Sequence, residues 1–190
     1  MAKLTYKGFK NIERQFPMLT TSFKEFCFKY KDDLRTFLEM ECEKIKYFSA
    51  LSNITKQELL YSMERKTYRA GTKIFKEKQT IDRLILIQSG IVELSVTYDK
   101  RRKYESFIIE RLTTGAILNH QAFIVKDTSD TYFVCRTPVS CFELSYDRMK
   151  KVMEKRADLK QARNDIKQQV FKANHEIALD YIFHNTSDTP

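Results

Sequence analysis

At 190 residues, with 42% hydrophobic and 31% charged side chains, the chain is long enough for one domain with a proper core, and its composition is that of a soluble globular protein rather than a disordered tail. Its longest purely aliphatic run, residues 84–87, falls far short of the roughly 20 apolar residues a membrane-spanning helix needs. A net charge of +9 permits contact with phosphate-rich partners but bears on association, not on fold.

The start, MAKLTYKGFKNIERQF, has lysines but no apolar run, so it does not read as a secretory signal, and a cytoplasmic location is expected. The four cysteines, Cys27, Cys42, Cys135 and Cys141, contain no Cys-x-x-Cys pair and read as reduced thiols rather than metal ligands or disulfide partners. Residues 1–21 look irregular, with Gly8 and Pro17 as breakers. From Ser22 a helix over 22–46 is expected: Ser22-x-x-Glu25 has the form of a capping box, and Phe23, Phe26, Tyr30, Leu34, Phe37 and Leu38 recur at helical spacing. The aromatics Phe23, Phe26, Phe28 and Phe37 suit contact with another subunit as well as a cap on the chain's own core. A second box, Thr55-x-x-Glu58, predicts a short helix carrying Leu59, Leu60 and Met63.

Between about 68 and 145 the period shortens. In residues 91–97, IVELSVT, Val92, Leu94 and Val96 share one face and Glu93, Ser95 and Thr97 the other, which is the pattern of a half-buried strand. Segments 73–76, 83–89, 105–111, 131–136 and 139–145 read similarly, at spacings suited to an antiparallel sandwich, barrel or jelly roll. Gly71, Gly90 and Gly115 fall at the joints, where a positive φ is most useful. The basic run Lys100-Arg101-Arg102-Lys103 lies between two strands and is most simply a solvated hairpin loop; no zinc-finger spacing, RNA-binding motif or basic heptad array accompanies it, so nucleic acid is not favoured as a partner. After Ser145 the helical period returns, with Met149, Val152 and Met153 on one helix. Leu159, Ala162, Ile166, Val170, Ala173, Ile177 and Tyr181 step along a second for roughly six turns. This stripe either packs on the β core or serves as a lid or subunit-pairing face.

Catalysis is not expected. The β region holds a single histidine, His120, which is too few for a cupin-type metal site, and no P-loop or Gly-x-Ser-x-Gly is present. His175 and His184 are not spaced to form a metal pair with it.

The order helix, β roll, two helices resembles the cyclic-nucleotide-binding domain family of kinase regulatory subunits, nucleotide-gated channels and catabolite-activator-type regulators. The likeness runs over residues 47–156. It is carried by YFSALSNITKQELLYSM at 47–63 and by TYRAGTKIFKEKQTIDRLILIQSGIVELSV at 67–96, where Gly71, Ile74, Asp82, Ile87, Gly90 and Val92 fall at the family's turn glycines, strand hydrophobes and acidic position. The family often has Gly-Asp where this chain has Lys78-Gln79, implying a slightly different hairpin.

The resemblance implies an α+β fold: an antiparallel β roll (jelly roll, or double-stranded β-helix) flanked by an N-terminal helical segment and two C-terminal helices. It divides the chain into an extension (1–46), the roll (47–156) and a long helix with a short tail (157–190). It also implies a ligand site, a phosphate-binding cassette in which backbone N–H groups and an arginine hold a cyclic phosphate and a glutamate accepts from the ribose. Here the cassette starts at Gly115, with Leu118, Asn119 and His120 on the family's Phe-Gly-Glu. Gln121 and Ala122 follow, and Ser129, Asp130 and Thr131 stand where the arginine and its two small neighbours belong.

Losing two charge-assisted contacts, at roughly 1.5 to 3 kcal/mol each, should weaken nucleotide affinity by a factor of about 10² to 10⁴. No cofactor is therefore expected, and cAMP or cGMP is disfavoured. Lys126 is the one nearby charge that could substitute, and His120 reads either as a pH-sensitive ligand contact or as a satisfied histidine in a collapsed cassette.

The function expected is a non-enzymatic regulatory or scaffolding module of a larger signalling, channel or transporter protein, near a membrane only through that parent. It would signal through Ile166, Val170, Ala173 and Ile177 and meet protein partners, or a second copy, through its terminal helices. The alternatives are a truncated catabolite-activator-type regulator, since no helix-turn-helix follows the long helix, or a domain for a non-standard ligand.

Overall fold

The computed structural model describes residues 6–18, 21, 22, 33–98 and 105–186, and side chains only as far as 172 in the last helix. The chain forms two compact units, residues 1–38 and 39–190. In the first, α1 (Tyr6–Gln15) is helical where breakers were expected. Gly8 lies inside it: a helical glycine costs only about 1 kcal/mol relative to alanine, and the i, i+3 ion pair of Lys10 with Glu13 (2.6 Å) supports the turn that follows. The expected 22–46 helix is described only as α2 (Asp33–Glu43), which ends in a turn at Lys44 and Ile45 before the short α3 (Lys46–Ser49). The Ser22 box and Phe23, Phe26, Phe28, Tyr30 and Cys27 fall, wholly or in part, outside the described residues.

In the second unit α4 (Asn53–Tyr61) begins at Ser52, whose hydroxyl accepts from Thr55 N–H; Ser52, not Thr55, is the cap. Thr55 is displaced from that role because it is fully buried and donates instead to Asp158. Eight strands follow: β1 (Glu64–Tyr68), β2 (Lys73–Phe75), β3 (Arg83–Ser89), β4 (Val92–Tyr98), β5 (Glu105–Leu112), β6 (Ile117–Leu118), β7 (Tyr132–Cys135) and β8 (Val139–Ser145). They form two four-stranded sheets, β1-β8-β3-β6 and β2-β7-β4-β5, with every pairing antiparallel. This is the expected β roll.

The unbroken apolar run Leu84, Ile85, Leu86 and Ile87 fits the central β3, which is buried on both faces. In β4 the simple alternation fails: Ser95 is buried while Leu94 stays half-buried, and the pairing with β5 shifts register between them, with Ile109 as the extra residue of β5. At the β3–β4 joint Gly90 has φ +103, and a Cβ there would lie 2.5 Å from the Pro138 carbonyl, so only glycine lets the two turns cross.

Between β6 and β7 lies α5 (His120–Val125), which packs on β3 and is anchored by the buried Phe123 and Ile124. After β8 come α6 (Tyr146–Lys155), capped by Ser145, and the 30-residue α7 (Ala157–Thr186). Cys42, Cys135 and Cys141 are free and buried. Burial, aided by neighbouring carboxylates, pushes the Cys42 and Cys141 thiols up to about 12, so they stay protonated and inert.

Candidate functional site

Gly115 (φ +87) opens the cassette, pinned to β3 by Gly115 N–H to the Ile87 carbonyl and Ile87 N–H to the Ala116 carbonyl, both 2.9 Å. Asn119 follows β6 in the left-handed region (φ 50, ψ 35), and its carbonyl accepts from Phe123 N–H at 2.9 Å to start α5. Lys126, also left-handed (φ 61), ends the helix. The positive-φ residues other than glycine are Lys78, Asn119 and Lys126 among the described residues. Two of them, Lys78 and Asn119, stand where the resemblance has glycine. The backbone shape has been kept while the residue type changed, at the modest cost a left-handed side chain carries.

The polar residues of the cassette divide into two sets. The first is built on Ser129, 5% exposed, at the arginine's position. Its hydroxyl donates to the Thr131 carbonyl (2.8 Å) and accepts from Asn119 Nδ2 (3.1 Å) and Thr131 N–H (3.4 Å), with Thr131 Oγ1 at 3.2 Å. Its backbone receives Lys78 N–H (2.5 Å) and donates to the Gln79 carbonyl (3.1 Å), tying the cassette to the β2–β3 hairpin. A hydroxyl has one donor and two acceptor sites, so Ser129 is fully used within the protein. Asp130 is exposed beside this cluster, and Ala122 is half-buried in α5 with its carbonyl engaged by Asp127 N–H at 2.8 Å. Lys126 does not supply the missing cation here: its ammonium lies 4.9 Å from the centroid of the Tyr146 ring.

The second set faces the other way. His120 and Gln121 line a cleft of about 390 Å³ with Lys46, Tyr47 and Ala50 at α3 and with Ala162, Asp165, Ile166, Gln169 and Val170 of α7. Tyr47 Oη donates to the His120 carbonyl at 3.3 Å, and the two rings stand 6.1 Å apart at 45°. His120 Nδ1 is buried with no hydrogen-bond partner, the one such side-chain atom among the described residues. Burial holds the imidazole pKa below its usual value. Of the expected transmitting face, Ile166 and Val170 border this cleft, while the side chains of Ala173 and Ile177 lie outside the described residues.

No local sequence pattern shows the contacts that join α4 and α5 to the start of α7. Asp158 accepts from Ser52 N–H, Thr55 Oγ1 and Leu159 N–H, each at 2.9 Å. Burial alone would raise its pKa, but these hydrogen bonds outweigh it and hold the carboxyl at about 2. Arg156 forks onto Glu58 (3.1 and 2.5 Å), and Arg163 Nε reaches the Ile124 carbonyl at the end of α5 (3.2 Å). The signal available was Ser52-x-x-Thr55 opposite an acidic residue in the first turn of the last helix, a pairing that no local spacing reveals. Among the described residues no group of His, Cys, Asp and Glu could hold a metal ion, and no helix is long and apolar enough to cross a membrane.

The cyclic nucleotide-binding domain family matches residues 65–156. Among solved structures, a cyclic nucleotide-binding-like protein from Brucella abortus is similar at 23% identity and TM-score 0.53, over 60% of this chain and 96% of that one. The sensor domain of the transcriptional regulator DNR from Pseudomonas aeruginosa is similar at 15% identity and TM-score 0.55, covering 77% and 95%. The regulatory domain of Toxoplasma gondii PKA with cAMP is similar at 8% identity and TM-score 0.53, covering 73% of this chain and 50% of that one. At these identities the likeness is one of fold. No curated protein sequence matches the chain.

Proposed function

We propose, from the match of residues 65–156 to the cyclic nucleotide-binding domain family, that the chain is a non-enzymatic regulatory module that has lost ordinary cAMP and cGMP recognition. It would act within a larger signalling, channel or transporter protein, with α7 as its output. The observation that carries this reading is the closed cluster of Asn119, Ser129 and Thr131. The Ser129 hydroxyl, the Asn119 amide and the Thr131 N–H are bonded to one another, and Ser129 brings no positive charge. A phosphate entering would have to break these bonds and would meet the exposed Asp130 without a guanidinium to offset it. The reading of α7 as output is supported by its docking onto α5, through Arg163 to the Ile124 carbonyl, and onto α4, through Asp158. A change in α5 would meet α7 first at this Arg163 contact.

Calorimetric titration of the full chain with cAMP and with cGMP tests the proposal. No saturable heat is expected below roughly 100 µM, given a loss of about 10² to 10⁴ in affinity. Binding at low micromolar concentration by either nucleotide overturns it. The combined change Asn119→Gly, His120→Glu and Ser129→Arg, which rebuilds the family's contacts, is expected to raise nucleotide affinity over the natural chain.

A further inference from the structure

We propose that His120 is a proton-driven switch between α5 and α7: on protonation its ring leaves its packed position beside Tyr47 and turns into the cleft walled by α7, where the Asp165 carboxylate receives it. The starting position is one that an imidazolium cannot hold. Nδ1 is buried without a hydrogen-bond partner, and the ring stands 6.1 Å from that of Tyr47. With the single proton of the neutral ring on Nε2, Nδ1 carries only a lone pair; a second proton turns it into a buried donor with nothing to receive it. A buried, unpaired charge costs far more than a buried lone pair, and burial accordingly holds the imidazole pKa below its usual value. Protonation therefore has to move the ring or unfold its surroundings.

The cleft, about 390 Å³, supplies both the space and the acceptor. The charged and titratable groups that meet His120 come from α3 and α7. On α3 these are Lys46, which repels an imidazolium, and Tyr47, whose pKa burial raises and whose hydroxyl is committed to the His120 carbonyl. On α7 Asp165 is the one acid in the lining, while Arg163 is turned to the Ile124 carbonyl. α5 carries no other ionisable side chain, and β3, on which it packs, is apolar from Leu84 to Ile87. Asp165 Oδ1 accepts from Gln161 Nε2 at 2.7 Å, and a carboxylate has lone pairs for further donors. An imidazolium in the cleft thus trades a site with no acceptor for water and an opposite charge on the last helix. Acid conditions then change how α5 docks on α7. The movement goes beyond the proposed function; only its use as a signal rests on α7 being the output.

The test follows the full chain, without nucleotide, from pH 7.5 to 5 by nuclear magnetic resonance of the His120 imidazole and the α7 amides. The His120 ring is expected to titrate below about pH 6.5 and to lose its Overhauser contacts with the Tyr47 ring in the same step. The Asp165 and Ile166 amides should shift with the same midpoint. Asp165→Asn, at an exposed position, should lower that midpoint by about 0.3 of a pH unit, a twofold loss of proton affinity. His175 and His184 also lie on α7, so His120→Phe, which should abolish the transition at Asp165 and Ile166, isolates the effect; His120→Gln serves if that variant fails to fold. The proposal is overturned by Tyr47 contacts that persist through the titration of His120, by α7 shifts that survive in the His120 variant, by a midpoint unmoved in Asp165→Asn, or by unfolding of the chain before the ring moves. Nucleotide binding found by calorimetry would overturn the proposed function and leave this result standing.

Discussion

The two sides of the cassette helix treat polar groups in opposite ways. On the roll side, Asn119, Ser129 and Thr131 satisfy one another, and the Ser129 backbone also clamps the hairpin at Lys78 and Gln79. On the outer side, His120 keeps a buried nitrogen without a partner next to a cleft. Both sides descend from positions that the family resemblance assigns to one ligand. Under the proposed function, a site that gives up its ligand need not leave a uniform remnant. One half can collapse into internal hydrogen bonds while the other retains an unmet requirement.

The largest expected effect breaks both sides at once. Phe123 is buried under α5 and packs edge-on against Tyr146, with ring centroids 6.0 Å apart. Phe123→Ala should cost about 3 to 5 kcal/mol in chemical denaturation and loosen Ser129 and His120 alike. A loss below about 1 kcal/mol would mean that α5 is not held by its core face.

Next comes Ser129→Ala, which leaves Asn119 Nδ2 and Thr131 N–H without the hydroxyl they share. A loss of about 1 to 3 kcal/mol is expected. The comparison predicts the opposite for His120→Phe, which removes an unpartnered buried nitrogen and should leave stability at pH 7.5 unchanged or raised. The two differ further with pH. Because the folded-state pKa of His120 lies below its ordinary value, the unfolded chain takes up the proton first; stability is complete above about pH 6.5 and falls as the pH drops below it. His120→Phe should reduce that slope between pH 7 and 5 in thermal melts, and an unaltered slope would remove His120 from the account.

Asp158 supplies a control with a different window. Its folded pKa of about 2 lies below the ordinary carboxylate value, so its contribution is present above about pH 4 and disappears as the pH falls toward 2. The carboxylate is only partly buried, so solvent screening reduces its worth to about 1 kcal/mol. Asp158→Asn should lose that amount at pH 7 and little at pH 2. The smallest effect belongs to Lys78, held at φ 59. Lys78→Gly relieves the left-handed strain but frees the unfolded chain, so a gain of about 0.5 kcal/mol is expected; a loss would show that the hairpin depends on the lysine side chain.

Much of the roll was legible because its signals are local. The run at Leu84 to Ile87, the joints at Gly71, Gly90 and Gly115, and the apolar period at Met149 and Val152 each report their own burial or backbone conformation. β1 was not legible: its residues are exposed or half-buried along the whole strand, and it is held by pairing with β8, including the Tyr68 hydroxyl donating to Glu143. The α4 cap is not legible because Ser52 and Thr55 are equally plausible by type, and only the distant Asp158 decides between them. α1 is not legible because Gly8 and Pro17 have the look of breakers, although one helical glycine costs only about 1 kcal/mol.

For the site itself, the sequence alone determined the absence of an arginine at position 129 and the replacement of glycine by Lys78 and Asn119. These are statements of residue type at a spacing. Only the tertiary structure decided that Ser129 is spent on Asn119 and Thr131, that Lys126 turns to Tyr146, and that His120 borders a cleft walled by α3 and α7. The reason is that whether a polar group is satisfied depends on atoms within about 3 Å in space. For Ser129 those atoms lie ten residues away at Asn119, and for His120 they lie 73 residues away at Tyr47.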